Sequence, residues 1–472
     1  MIVREEPKAP LTVARIERAR AAVILAGLAL VACKRTPPAA PERDAGGERG
    51  SEAGAVTIVD AGAAAARCAL DGAGATLADL TDRRSILLGD ATPAGGDVLV
   101  GAVRTAGGEA RASLVRVSGD VARADELLVA HGGVAVVSDA PPPKPLAHGD
   151  AVYAAYVTRA GRDAGGATQR LVALDRLAPG APTRIASFAE HADESLAFDA
   201  AVAEDGARVA LAWDEDTGAK SVIRVAIVPL SGGGVDAAAA VRTVSGDASD
   251  ADSPRVVPRA GGGWWLAWTA RRPEGGGELD ASRASAPGAK SGAELESPGE
   301  VRTYVWVEAL ALDADGVPVG TPRRVTSQTG HVVSIDPWPR ATKDALPLLA
   351  LDETEERADV GGRVLRVTAG TGGSEAVTVA SGAGRGAIDL LGGPLGSPGD
   401  EWLTFAGRGD HPALVPLAAT GGAAGLPSTE DAIEGGRLVA AIRSAEGPGT
   451  SGFLVAFPGG DGALFRHATC KR

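Results

Sequence analysis

Three of the six histidines, His131, His191 and His331, stand in polar stretches that lead into apolar runs, and aspartates follow each of them: Asp139, Asp199 and Asp336. Imidazole and carboxylate groups drawn to one place can hold a divalent cation or a cationic small ligand. Aspartate also favours loops because it hydrogen-bonds its own backbone, so the same series has a purely structural reading. Asp389 occupies a similar place further on. Two carboxylates suffice for glycoside cleavage if they face each other across a pocket, which keeps a hydrolase or lyase open. Asp313-Ala314-Asp315-Gly316 has part of a calcium loop but lacks its third carboxylate and distal Glu, and reads as a hairpin turn. Trp264 and Trp338 are candidates for stacking on a sugar or peptide, whereas Trp213, Trp268 and Trp402 read as core. Arg408-Gly409-Asp410 is an integrin-type tripeptide, a match close to chance. No HExxH, GxSxG, P-loop or CxxC occurs, and no cofactor is identified beyond the possible divalent cation.

The elements that must position these groups come from a repeat. Apolar runs ending in a bulky residue recur at Val103, Tyr156, Trp213, Trp268, Leu351, Phe405 and Phe457, separated by 53, 57, 55, 83, 54 and 52 residues. Local wording repeats too: Leu211-Ala212-Trp213-Asp214-Glu215 matches Leu349-Ala350-Leu351-Asp352-Glu353. Residues 271–300, polar and without strand character, account for the one long interval. Each unit divides into short β-branched runs with Gly or Asp-Gly between them, the pattern of antiparallel hairpins. Four strands every 50-odd residues make the blade of a β-propeller, and the length fits seven blades. Six or eight blades and tandem β-sandwiches are the alternatives. In a propeller the three histidines and the insertion share one rim. The last unit lacks an outer strand, which the segment Cys68 to Leu80 can supply, and such composite closure resembles the way many propellers seal their ring.

Ahead of this body, residues 1–20 carry five basic side chains and Ala21 to Ala32 is an uninterrupted run of apolar or small residues. Twelve residues cannot cross a bilayer that needs about 20, and a basic, then short apolar, then small-residue order describes a secretory signal. Leu30-Val31-Ala32-Cys33 resembles the lipobox of bacterial lipoproteins. That resemblance implies cleavage before Cys33, acylation of its sulfur, and a lipid-anchored protein in the bacterial cell envelope. Residues 1–32 are then the signal peptide, 33–67 a Pro/Ala/Gly-rich tether with an r.m.s. span of roughly 30–35 Å, and 68–472 the propeller.

Cys68 and Cys470 remain, one at each end of the body. In an exported chain an even, isolated pair suggests a disulfide, with two free thiols as the alternative. The formal charge of −13 and the absence of a basic block in the body argue against nucleic acid. Gly and Pro together supply a fifth of the chain, 65 and 30 residues, which fits short elements joined by turns. Three functions stay open: a binding module for an envelope protein, small molecule or glycan, an extracytoplasmic hydrolase or lyase, and a structural part of a surface assembly.

Overall fold

The computed structural model describes residues 67–77, 85–106, 109–129, 141–162, 168–190, 197–217, 220–230, 241–246, 249–273, 303–338, 341–353, 362–370, 376–383, 388–391, 402–406, 412–416, 428–429, 437–442, 450–459 and 462–471. All regular structure among them is β-strand, in seven four-stranded antiparallel sheets. In chain order the sheets occupy residues 85–128, 144–190, 198–243, 250–324, 332–383, 388–429 and 437–471. In the first six, chain order runs from the innermost strand outward. The innermost strands touch one another in sequence, and that of the seventh touches that of the first, so the sheets close a ring. This is a β-propeller.

The reason lies in how the strands bury their side chains. Val209, Leu211 and Trp213 fill a core shared with the second sheet's Tyr156 and Leu174, whereas Ala210 and Ala212 fill another with Trp264, Leu266 and Trp268 of the fourth. Alternate residues of a strand point to opposite faces, so a sheet packed between two neighbours needs apolar residues at every position. That explains the unbroken runs of the repeat, and it excludes two-sheet sandwiches, whose outer faces are polar. The indole N–H groups of Trp213, Trp264 and Trp268 have no acceptor among the described residues, so these side chains serve as apolar bulk.

The seventh sheet takes its outermost strand, Arg67–Thr76, from the start of the body. Cys68 lies directly opposite Cys470 in the ladder, and the two form a disulfide across 402 residues of sequence. Chain entropy alone assigns such a link on the order of 5–6 kcal/mol. The strand Trp264–Pro273 extends into the expected insertion and the next begins at Thr303, so the insertion joins the second and third strands of the fourth sheet. Residues 274–302 lie outside the described residues, as do Cys33 and the signal and tether segments through residue 66.

Candidate functional site

The ladder registers place one position of each repeat at the same level of the innermost strands. Lys144 stands opposite Ala155, Asp199 opposite Ala212, Arg255 opposite Ala267, Ile335 opposite Ala350, Asp389 opposite Thr404 and Arg437 opposite Ala456. In the first sheet that place, opposite Ala102, belongs to Leu88, and Asp90 lies just beyond it in a β-bulge between Leu88 and Ala91. Basic and acidic residues therefore alternate around most of the ring.

Lys144 is the hinge of this belt. Its Nζ donates to Asp90 Oδ2 at 2.6 Å and lies 3.0 Å from Asp199 Oδ1. An ammonium on the second sheet that reaches carboxylates on the first and third must sit in front of its own strand, on the channel side. Asp199 Oδ2 accepts from the backbone N–H of Val256 at 2.8 Å, tying the third sheet to the fourth. The chain entering Lys144 is fixed by Pro142 and Pro143, which lie against the first sheet. A Cβ on Gly101 would fall 1.9 Å from the Pro143 carbonyl oxygen, and one on Gly89 would fall 2.5 Å from Pro142 Cβ. Thr92 Oγ1 also donates to the Pro145 carbonyl at 2.9 Å.

The charges are held firmly. Lys144 holds the Asp90 carboxyl well below the usual carboxylate range, overriding its burial, and Arg255 and Arg437 add to the effect. Arg255 belongs to the fourth sheet and Arg437 to the seventh. Burial opposes the charge on Lys144, but Asp199 and Asp90 outweigh it and hold the ammonium above its ordinary range. Nevertheless the Asp90 side chain is 48% exposed, against 5% for Asp199. Among the described residues only its Oδ2 is engaged.

At the rim, the aspartates of the matching pentapeptides do a backbone job. Asp214 Oδ1 accepts from Ala197 N at 2.8 Å and Oδ2 from Ser253 N at 3.2 Å. Asp352 Oδ1 accepts from His331 N at 2.8 Å, and its Oδ2 lies 3.3 Å from Arg363. Each clamps the residue that leads into the innermost strand of its own sheet. Burial pushes the Asp214 carboxyl up to about 7; Asp252 adds to the rise, while the two backbone N–H groups and Arg271 oppose it. A further buried group, Asp175 of the second sheet, accepts from the Tyr156 hydroxyl at 2.5 Å and from Arg184, whose guanidinium also lies over the Tyr156 ring. These contacts brace the second sheet.

Of the residues expected at the rim, His131, His191 and Asp139 lie outside the described residues; the innermost strand of the second sheet begins only at Lys144. His331 does precede an innermost strand, Val332–Pro337, and packs beside Tyr304. Asp336 shares that strand but lies five residues on, roughly 16 Å at the rise of a strand, so His331 and Asp336 do not form one site. Asp199 belongs to the belt, held by Lys144. No group of three His, Cys, Asp or Glu side chains suited to a metal ion occurs among the described residues. Trp264 is 1% exposed and Trp338 9%, which corrects their reading as stacking platforms: Trp264 fills the core toward the third sheet, and Arg366 covers the Trp338 ring. Asp313 accepts from Asp315 N and Val317 N in a tight hairpin with Gly316 at positive φ, a turn as expected. Asp389 is placed only by its strand, and Arg408-Gly409-Asp410 lies outside the described residues.

Sequence reasoning passed over Asp90, Lys144, Arg255 and Arg437. A signal was present: Asp90, Lys144, Asp199 and Arg255 follow one another at 54, 55 and 56 residues, the period of the repeat.

No family model matches the chain, and no curated protein does. Solved structures similar to it include a polysaccharide lyase described as an ulvan lyase, 10% identical over 85% of this chain and 93% of that one, with a TM-score of 0.46. The β-propeller domain of the trilobed protease from Pyrococcus furiosus is 8% identical over 81% of this chain and 93% of that one, TM-score 0.39. Prolyl oligopeptidase B from Galerina marginata is 11% identical over 79% of this chain, TM-score 0.38, and there the match spans 47% of the other protein's length. At these identities the likeness concerns fold alone.

Proposed function

We propose that this chain is an exported lipoprotein, held by a lipid on Cys33 and a tether over residues 33–67, whose propeller is a binding module with its ligand site at the channel belt. The observation that carries the site is the Lys144 clamp: one ammonium held between the carboxylates of Asp90 and Asp199 on the two flanking sheets, with Asp90 Oδ1 unengaged among the described residues. The membrane is a partner through the lipid, in the bacterial envelope.

The rival reading is a hydrolase or lyase. Asp90 and Asp199 are only an ammonium apart, a spacing that suits paired carboxylates, but glycoside cleavage needs one of them protonated as the general acid. Lys144 favours the ionised form of Asp90 and is itself held protonated, which speaks against Asp90 as the general acid and against Lys144 as nucleophile or base. Binding needs no proton transfer, and fixed charges serve it directly.

Two experiments test this. Cys33→Ser is expected to leave the protein unlipidated and release it from membranes; unchanged fractionation overturns the anchor. The full chain incubated with a trigalacturonate and with the dipeptide leucylglycine is expected to return both probes intact by mass spectrometry. Time-dependent cleavage that Asp90→Asn abolishes would establish the enzyme instead.

A further inference from the structure

We infer that residues 67–71 form a redox-released clasp: a dithiol that reduces Cys68–Cys470 frees this half of the closing strand, while residues 75–77 keep the ring shut. The inference is independent of the channel belt.

The two halves of the segment are held by different means. Ala75 and Leu77 are buried in a core with Ile86 and Leu88 of the first sheet and Leu454 and Phe465 of the seventh, and Leu77 N donates to the Ala463 carbonyl at 3.0 Å. That core spans the join between first and last sheets, so it closes the ring without the disulfide. Cys68 and the partly buried Leu70 belong instead to a small cluster whose described members, Phe453, Val455, Ala468 and Cys470 among them, all lie in the seventh sheet. The other side-chain support of this half is polar: Asp71, 44% exposed, accepts from Thr469 Oγ1 and lies 3.0 Å from His467 Nδ1. A pair so open to solvent holds little. The disulfide therefore sits on the half that the ring-closing core does not secure.

Between the halves the ladder breaks. Its register shifts between Asp71 and Ala75, where Gly72 and Gly74 both take positive φ, a conformation glycine adopts freely. A Cβ on Gly74 would fall 2.4 Å from the Phe465 carbonyl oxygen, and Arg466 donates to the Gly72 carbonyl at 2.7 Å. Segments joined through such a break can open as separate units. Cys68 is the second residue of the sheet's outermost strand and is 8% exposed, against 0% for Cys470. A thiolate of the dithiol attacks the Cys68 sulfur, and Cys470 leaves as a thiolate that takes up a proton. The second thiol then displaces Cys68, so the reagent ends as a disulfide and the protein as two thiols. Once free, residues 67–74 can extend by up to about 26 Å, lengthening the reach between the body and the chain ahead of it. Their departure also uncovers the edge of the last strand at His467–Lys471.

The test treats the full chain with dithiothreitol in the absence of denaturant, reading thiols by alkylation and backbone opening by hydrogen exchange, both resolved by mass spectrometry. Cys68 and Cys470 are expected to become alkylated, and the amides of residues 67–71 to exchange at least about tenfold faster, while residues 75–77 and 453–456 keep their protection. The double variant Cys68→Ser, Cys470→Ser should match the reduced chain. If that variant does not fold, shown by its melting curve, the reduced natural chain decides alone. A bond that resists dithiothreitol in the folded chain overturns the proposal, as does unchanged protection of residues 67–71 after reduction. Loss of protection in residues 75–77 and 453–456 together with 67–71 also overturns it, because the bond would then be the closure of the ring itself.

Discussion

The third and fifth sheets carry the same five-residue pattern at the rim end of their second strands, yet its aspartate lives in two different settings. Asp214 and Asp352 are both buried, 8% and 6% exposed, and each accepts a backbone N–H from the residue leading into its own innermost strand. Asp352 has Arg363 for its second oxygen. Asp214 gives its second oxygen to Ser253 N of the next sheet and feels the charge of Asp252, while Arg271, which favours its ionised form, lies within 4 Å of Asp250 and Asp252. The repeat therefore dictates the hydrogen bond, and the neighbouring sheet dictates whether the charge is compensated. That division explains why a word in the sequence predicts a backbone role more securely than a chemical one.

The largest expected effect is in the pH dependence of the third sheet. The folded-state value of Asp214, about 7, lies above its ordinary 3.8, so folding takes up a proton between them. Its contribution is complete below about pH 4 and is lost as pH rises through 7, on the order of 4 kcal/mol in all. Urea unfolding from pH 4.5 to 8 should show Asp214→Asn matching the natural chain in acid and exceeding it at pH 8. Parallel curves would mean that Asp214 is ionised throughout.

Next in size is the cost of truncation at pH 7. Asp352→Ala strips the acceptor from His331 N and the partner from Arg363, and should cost about 2–3 kcal/mol. Asp214→Ala takes the acceptor from two backbone N–H groups, Ala197 and Ser253, but relieves a buried carboxylate that costs stability when ionised, so its net cost should be smaller in the same urea titration. Equal costs would erase the distinction between the two sheets. Smaller again is Arg363→Met: the arginine is 44% exposed, solvent weakens the pair, and a loss under about 1 kcal/mol is expected from the melting temperature.

Much of the fold was legible because a sheet buried on both faces leaves a continuous apolar run, and Trp213 and Trp268 mark the same place in two of them. The Cys68–Cys470 link was legible because a ring closed by strand exchange brings its ends together. The belt was harder to read. A search for like residues finds three histidines or a series of aspartates, whereas the belt uses one position per repeat with the sign changing from sheet to sheet. Asp90 sits in a bulge off the register of its strand, and Lys144 follows three prolines. Asp336 looked equivalent to Asp199, but the register gives that place to Ile335.

The smallest effect separates the two causes of the Asp214 shift. Asp252 accepts from Ser253 Oγ at 2.7 Å and lies 3.5 Å from Arg271. Asp252→Asn removes a like charge and leaves Arg271 freer to favour ionised Asp214, so both consequences lower its midpoint. Burial is the larger cause and is untouched by the change. The midpoint, read from the pH at which the natural and Asp214→Asn backgrounds diverge, should fall by less than about one unit. A collapse to the ordinary carboxylate range would make Asp252 the dominant cause, and the contrast with Asp352 would then rest on one neighbouring charge rather than on the interface between the third and fourth sheets.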